Sequence, residues 1–144
     1  MIVFALAREK TCVLKKYWQI LKCSGIGGTD YWKDYGDYAV LFNMGVNGVF
    51  ATGFVLAVGG DLNGPTIGGI FTIVGFSSTG KHLRNIAPIM LGVYLARLTK
   101  HWSINEPAPL LALLFSTTLA PIAGEFGVFA GLVAGFLHSS VALN

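Results

Sequence analysis

The sequence predicts an all-α, polytopic membrane protein with about three spanning helices and two short helical segments that could re-enter the membrane. Three observations predict this class. Hydrophobic residues make up 53% of the chain and charged residues only 12%, about half the charge of a typical soluble domain. Glycine occurs 19 times, as in membrane helices that approach one another closely. Several apolar runs also approach the roughly 20 residues that cross a bilayer.

The chain divides into a basic N-terminal flank, residues 1–37, and a predicted transmembrane domain, residues 38–144. Six of the ten basic residues precede the first long apolar run: Arg8, Lys10, Lys15, Lys16, Lys22 and Lys33. Such a flank is typical of the cytoplasmic side, so we expect an integral protein of the cytoplasmic (inner) membrane with a cytoplasmic N-terminus. The basic residues form no patch on a soluble fold, which argues against binding to nucleic acid.

Within the flank, residues 13–23 predict an amphipathic helix. Its apolar arc holds Val13, Leu14, Tyr17, Trp18, Ile20 and Leu21. This helix either lies in the membrane interface or packs on the rest of the protein. Cys12 and Cys23 show no CxxC or Cys/His spacing, so no metal site is predicted.

The apolar segments follow the order long, short, medium, short, long. Tyr38–Gly59 has 22 uncharged residues, whereas Ile67–Phe76 would cover only roughly 15 Å as a helix. Ile86–Leu98 spans if the basic residues at its end reach the interface. Ala108–Ala120 is again short, and Phe126–Leu143 is the last predicted span. The short segments either span the membrane or re-enter it. The ratio of Lys and Arg residues on its two sides is the same in both topologies, so the distribution of positive charge does not distinguish them.

Two breaks, Leu62–Thr66 and Pro121–Glu125, border the short segments. Asn63 could cap a helix whose positive dipole end faces a ligand inside the bilayer; alternatively, this turn lies among the headgroups. Glu125 is either an ionisable group inside the membrane, hence a functional candidate, or an ordinary interfacial residue. The candidates for a pathway or ligand site are Asn43, Asn47, Asp61, Asn63, Thr66, Glu125 and His138.

The polar residues of the first and last predicted spans have two interpretations each, and the glycines of the last span suggest helix packing. Asn43 and Asn47 lie one helical turn apart and either line a polar path or bond between helices. His138 fits an interfacial hydrogen bond better than proton transfer. Gly127, Gly131 and Gly135 recur every four residues and predict a surface for close helix packing.

Enzyme chemistry is not predicted. Residues 75–81 satisfy the phosphate-loop pattern G-x-x-x-x-G-K, but His82 stands where a hydroxyl residue should bind magnesium. No Asp follows Asp61 to supply the second magnesium ligand. No catalytic constellation is found elsewhere, so we expect no enzyme activity and no cofactor.

Four stretches carry a family resemblance: GGDLNGPTIGGI at 59–70, GKH at 80–82, TTLAPIAGEFG at 117–127 and AGFLH at 134–138. Over about residues 34–144 the chain resembles the domain-of-unknown-function family 1576 of bacterial multi-spanning membrane proteins, with no recognised counterpart for residues 1–32. The resemblance implies membrane location and a longer family architecture. It supplies no reaction, ligand or binding residue.

The expected function is part of a small-solute or ion transporter or channel, embedded in the lipid bilayer and using discontinuous helices. Five short segments can hardly enclose a pathway, so we expect a homo-oligomer or a complementary membrane subunit docked on the glycine face of the last helix. The alternative is a non-transporting assembly or scaffold subunit, or a truncated, nonfunctional copy of a larger membrane protein.

Overall fold

The computed structural model describes residues 1–100 and 102–143, without the side chain of Lys100. Every regular element in these ranges is helical, which confirms the predicted all-α class. The elements are α1 (Ile2–Glu9), α2 (Thr11–Ile20), α3 (Tyr31–Tyr35), α4 (Asp37–Ala57), α5 (Gly64–Phe76), α6 (Leu83–Lys100), α7 (Pro107–Ser116), a 3₁₀ turn (Thr117–Leu119) and α8 (Ala120–Ala142).

Two helical stretches in the described ranges are long and apolar enough to cross a membrane. They are α4, with 21 residues, and the continuous stretch Pro107–Ala142, with 36. Helix α5 is apolar but has only 13 residues. Helix α6, which contains the predicted span Ile86–Leu98, is not one of the two; it carries Arg84 and Arg97. In the described ranges, two stretches therefore combine the length and the apolar composition of a span, where the sequence predicted about three.

The stretch Pro107–Ala142 is not one straight rod, because it bends sharply at Gly127. This residue has φ 89° and ψ 177°, a conformation that glycine adopts without a Cβ penalty. A Cβ on Gly131 would lie 2.6 Å from the Cβ of Ala123, although eight residues of straight helix rise roughly 12 Å. The helix thus folds back on itself, with a first limb (residues 120–126) and a second limb (residues 128–142).

The break predicted at Pro121–Glu125 is wrong in position. These residues lie within the helical first limb, and the non-helical residue is Gly127. Pro121 stands in the first turn of α8, where its missing N–H breaks no hydrogen bond. The predicted last span, Phe126–Leu143, corresponds to the second limb, residues 128–142, while α8 itself begins earlier, at Ala120.

The chain reverses direction between helices α5 and α6, an arrangement here called the hairpin, although α5 packs mainly on α4 and α7 and α6 mainly on α8. Helix α5 runs antiparallel to α4: Gly48 faces Val74, while Asn43, nearer the start of α4, bonds to Ser77 after the end of α5. Helix α6 returns parallel to α4, since later residues of the two helices, Phe54 and Tyr94, pack edge-to-face at 6.2 Å. The tip of the hairpin is the connector of residues 77–82.

The second limb of α8 packs closely on α6. Gly131 lies against Pro88, and Gly135 lies against the backbone of Ile89. A side chain at Gly135 would collide with the backbone of α6, and one at Gly131 would meet Ala123 of the first limb and then Pro88 of α6. These two glycines thus allow a close approach, and the helix that they approach belongs to the same chain. Gly127 has open space around it instead.

The N-terminal flank packs along the first half of α4. The ring of Tyr17 meets Phe42 edge-on with centroids 5.0 Å apart, and Val13 and Ile20 of α2 are fully buried. Trp18, on the other edge of the predicted apolar arc, is 62% exposed. One edge of α2 therefore packs on the protein and the other faces outward.

Candidate functional site

Two buried asparagines of α4 hold the tip of the hairpin. Nδ2 of Asn43 donates to the carbonyl oxygens of Ser77 and Lys81, both at 2.8 Å. Nδ2 of Asn47 donates to Oγ of Ser77 at 2.7 Å and to the Lys81 carbonyl at 3.1 Å. Carbonyls at a helix end lack partners within the helix, so the asparagines satisfy the end of α5. Their observed contacts are interhelical hydrogen bonds, one of the two predicted alternatives.

These hydrogen bonds also fix where α5 ends relative to α4. Asn43 and Asn47 lie six and ten residues after Asp37, the first residue of α4, or about 9–15 Å along a helix. The whole of α4, at 21 residues, is about 32 Å long. The hairpin tip therefore lies level with the first half of α4, about two to three helical turns from its start, and not with either end.

The side chain of Lys81 is buried at the hairpin tip. It is 8% exposed, and its Nζ donates to Oγ1 of Thr117 at 2.9 Å. The ammonium also lies 4.9 Å from the centroid of the Phe76 ring, within cation–π range. Among the described residues, no carboxylate lies within 4.0 Å of it. The 3₁₀ turn before α8 therefore supplies its only hydrogen-bond acceptor in that part of the chain, and this acceptor is neutral.

A polar cavity of about 220 Å³ lies where the start of α6 meets the bend of α8. Its polar lining consists of Lys22, His82, Arg84, Asn85 and Glu125. Glu125 is exposed, as are Lys22 and Arg84, so water and solutes reach this lining from outside. The cavity brings both signs of charge together in one small concave site, as ligand sites often do.

One wall of the polar cavity comes from the N-terminal flank, through Lys22 and Cys23. These two residues belong to residues 21–25, here called the flank loop. Nε2 of His82 lies 2.9 Å from the carbonyl oxygen of Cys23, and Arg84 donates to the Leu21 carbonyl at 3.4 Å. Gly124 of α8 abuts the backbone of Ser24 so closely that no side chain would fit there. The flank loop is thus held by both the hairpin tip and α8.

Asn85 shapes the hairpin tip from within. Its Oδ1 accepts from the backbone N–H of His82 at 2.9 Å, and its Nδ2 donates to the Gly80 carbonyl at 3.0 Å. The Nδ1 atom of His82 has no hydrogen-bond partner among the described residues and is buried.

The flank loop is anchored on its other side by a thiol–phenol pair. Sγ of Cys23 and Oη of Tyr35 share a hydrogen bond at 3.0 Å. This bond, together with burial, raises the pKa of Tyr35 to about 12. The neutral phenol is therefore the form that the folded flank favours.

The structure distributes the remaining predicted site residues over separate places. Asp61 and Asn63 are exposed at the far end of α5. Oδ1 of Asn63 accepts from the backbone N–H of Thr66 at 3.1 Å and from its Oγ1 at 2.8 Å, which makes it an N-cap. The buried asparagines of α4 hold the backbone that follows the C-terminal end of α5, whereas the sequence pattern singled out its N-terminus.

Of the seven predicted residues, only Glu125 lines the polar cavity. His138 is half-buried in the second limb of α8 and is not among the lining residues. Lys22, Arg84 and above all Lys81 were not predicted from the sequence. A signal was present for Lys81, because it is an ionisable residue between two apolar segments, the same pattern that singled out Glu125.

The family described as "Protein of unknown function (DUF1576)" matches residues 9–144. The match begins well before residue 34, so it takes in α2 and the flank loop as well as the hairpin and α8. No curated protein and no solved structure matches the chain. Since the family match covers nearly the whole sequence, the chain belongs to this family of unknown function.

Proposed function

We propose that the protein is an integral membrane protein of the cytoplasmic membrane and forms part of a small-solute or ion transporter or channel. Membrane location is supported by the two long apolar stretches and by large apolar side chains that remain exposed. Val3, Phe71, Phe129 and Val141 are each at least 65% exposed. Apolar surface of this kind suits lipid better than water. The basic flank supports a cytoplasmic N-terminus.

The transport proposal rests on the position of the hairpin tip along the axis of α4. If α4 crosses the bilayer, a tip about 9–15 Å along it lies within the hydrocarbon region. Non-helical backbone is tolerated at that depth only where protein buries it or where it lines a wet cavity. Helices that end in mid-membrane are typical of transport proteins, in which they form the solute site.

The polar cavity supports the same proposal. It lies directly beside the hairpin tip, contains Arg84 and Glu125, and is open at its exposed side chains. Its volume of about 220 Å³ exceeds many times the roughly 10–15 Å³ needed by one water. The charged side chains of Arg84 and Glu125 offer a small polar or charged solute partners of both signs there.

The experiment is a flux measurement on the purified protein in liposomes, by light scattering after an osmotic step. The probes are potassium chloride, potassium glutamate and glycine. We expect at least one to cross faster than in protein-free liposomes. Arg84→Gln and Glu125→Gln should reduce that flux, whereas Asp61→Asn, which removes an exposed acid far from the cavity, should not.

Two outcomes would contradict the transport proposal. One is the absence of flux for all three probes with protein that is folded by circular dichroism. The other is flux that Arg84→Gln, Glu125→Gln and Asp61→Asn leave equally unchanged. Either result would favour the non-transporting assembly or scaffold subunit.

A further inference from the structure

We propose that Lys81 and the cavity beside it bind a small monovalent anion. This cavity, here called the Lys81 cavity, is distinct from the polar cavity. It has a volume of about 150 Å³ and is lined by Phe76, Thr79, Gly80, Lys81, Thr118 and Pro121, among others. A bound anion there requires no transport, so the proposal stands whether or not the protein moves a solute.

The charge of Lys81 is uncompensated. An ammonium has three donors, and in the described part of the chain Lys81 has one hydrogen bond, to Thr117. The ammonium also makes a cation–π contact with the ring of Phe76, whose centroid is 4.9 Å away. Burying a cation is costly unless it is paired, and no carboxylate among the described residues pairs with this one. A counter-anion would supply the missing partner.

The position of the ammonium also favours a ligand. It lies over the ring of Phe76, which itself lines the Lys81 cavity. Lys81 lines the same cavity, so the residue that carries the charge borders an open space. That space is about ten times the volume that one water needs, which accommodates a halide or nitrate ion.

The other donors around the cavity point to the same class of ligand. The backbone N–H of Gly80, which also lines the cavity, has no acceptor among the described residues. The hydroxyls of Thr79 and Thr118 donate to carbonyls of Phe76 and Phe115, three residues earlier in the chain. Lys81 and Gly80 are thus the groups that can donate to a ligand, and both favour an anion.

The hydrogen bonds around Lys81 hold it in place for this role. Oγ1 of Thr117 donates its own proton to the Leu114 carbonyl at 2.8 Å, so its lone pairs face the ammonium. The Lys81 carbonyl is fixed by the two asparagines of α4. A site whose cation is fixed before binding loses little side-chain entropy when the anion arrives.

The test is chloride binding to the purified protein in a nonionic detergent, measured by broadening of the chloride NMR resonance. We expect a saturable component in the wild type. Lys81→Met should weaken it at least about tenfold, the size expected for losing a hydrogen bond to a charged group. Lys15→Met, which removes an exposed lysine of the flank, should leave it unchanged.

A second variant covers the case in which Lys81→Met does not fold. Thr118→Leu keeps the cation but fills part of the Lys81 cavity, so it should also weaken chloride binding. The absence of a saturable component in the wild type would overturn the proposal, as would equal binding by wild type, Lys81→Met and Thr118→Leu. Binding of phosphatidylglycerol that depends on Lys81, with no chloride binding, would also overturn it, because the partner of the cation would then be a lipid headgroup.

Discussion

The side-chain amide of Asn43 donates to the carbonyl oxygen of Lys81 at 2.8 Å, which joins the first long apolar helix to the tip of the α5–α6 hairpin. Asn43 is fully buried and Lys81 almost so. In hydrocarbon or in a protein core, a free carbonyl has no water to bond. This contact therefore stabilises the hairpin tip and sets its position along the axis of α4.

We predict that the two asparagines act as a pair. Asn43→Leu removes the side-chain amide donor to the Ser77 carbonyl, which should cost about 1–3 kcal/mol for an unsatisfied buried group. Because Asn47 still reaches the Lys81 carbonyl, that second acceptor loses all its asparagine donors only in the double variant with Asn47→Leu.

Unfolding titrations in mixed micelles would measure this coupling. The double variant should lose more stability than the sum of the single variants. Gln19→Leu is the control, since Gln19 is exposed and its change should stay within about 0.5 kcal/mol. Additive losses for Asn43→Leu and Asn47→Leu would show that the asparagines do not share the carbonyl.

A second prediction concerns two helical glycines. Gly135→Ala should destabilise the protein by about 1–3 kcal/mol, because its new methyl group would collide with the backbone of Ile89. Gly68→Ala should stabilise it by up to about 1 kcal/mol, because Gly68 lies inside α5 and a methyl group there would meet no atom within 4 Å. Thermal unfolding of both variants measures the difference. Equal effects would mean that α6 and α8 are not in close contact at Gly135.

A third prediction concerns alkaline pH. The hydrogen bond with Cys23, followed by burial, raises the pKa of Tyr35 from its ordinary 10.0 to about 12. A raised pKa of an acid means that the folded state favours the neutral phenol. The stabilisation is therefore complete below pH 10.0 and disappears as the pH rises to about 12.

Ultraviolet titration of tyrosinate would test this prediction. In Cys23→Ala, part of the tyrosine absorbance change should move to lower pH, because the main cause of the shift is removed. Cys12→Ala removes an exposed cysteine and should leave the titration as in the wild type. An identical titration in all three proteins would rule out the Cys23–Tyr35 bond as the cause.

The sequence predicted the helices better than their arrangement. Composition and run length were enough for the all-α class and for α4 and α5, because an apolar run constrains length directly. A break at Pro121–Glu125 was predicted, but not the reversal of the helix at Gly127, since a glycine at regular four-residue spacing also fits a continuous packing face. The backbone of Gly127 and the contact of Ala123 with Gly131 show this reversal.

The candidate site was less predictable for a related reason. Asn43 and Asn47 were recognised as polar residues of the first apolar helix, but their partners lie 30 or more positions away. Nothing in local sequence spacing indicates that Ser77 and Lys81 meet them. Lys22, Arg84 and Glu125 are likewise far apart in the chain and share the polar cavity only because the hairpin tip and the bend of α8 meet the flank loop.

The central claim is that the hairpin tip lies inside the bilayer, and a depth measurement tests it most directly. Single cysteines at Thr79 and Asn63, in a background of Cys12→Ser and Cys23→Ser, would carry a fluorophore in liposomes containing lipids with quenchers at different depths. Both positions are exposed on the protein. We predict that Thr79 is quenched best from within the acyl chains and Asn63 from the headgroups. Quenching of both positions from the headgroups alone would contradict the claim.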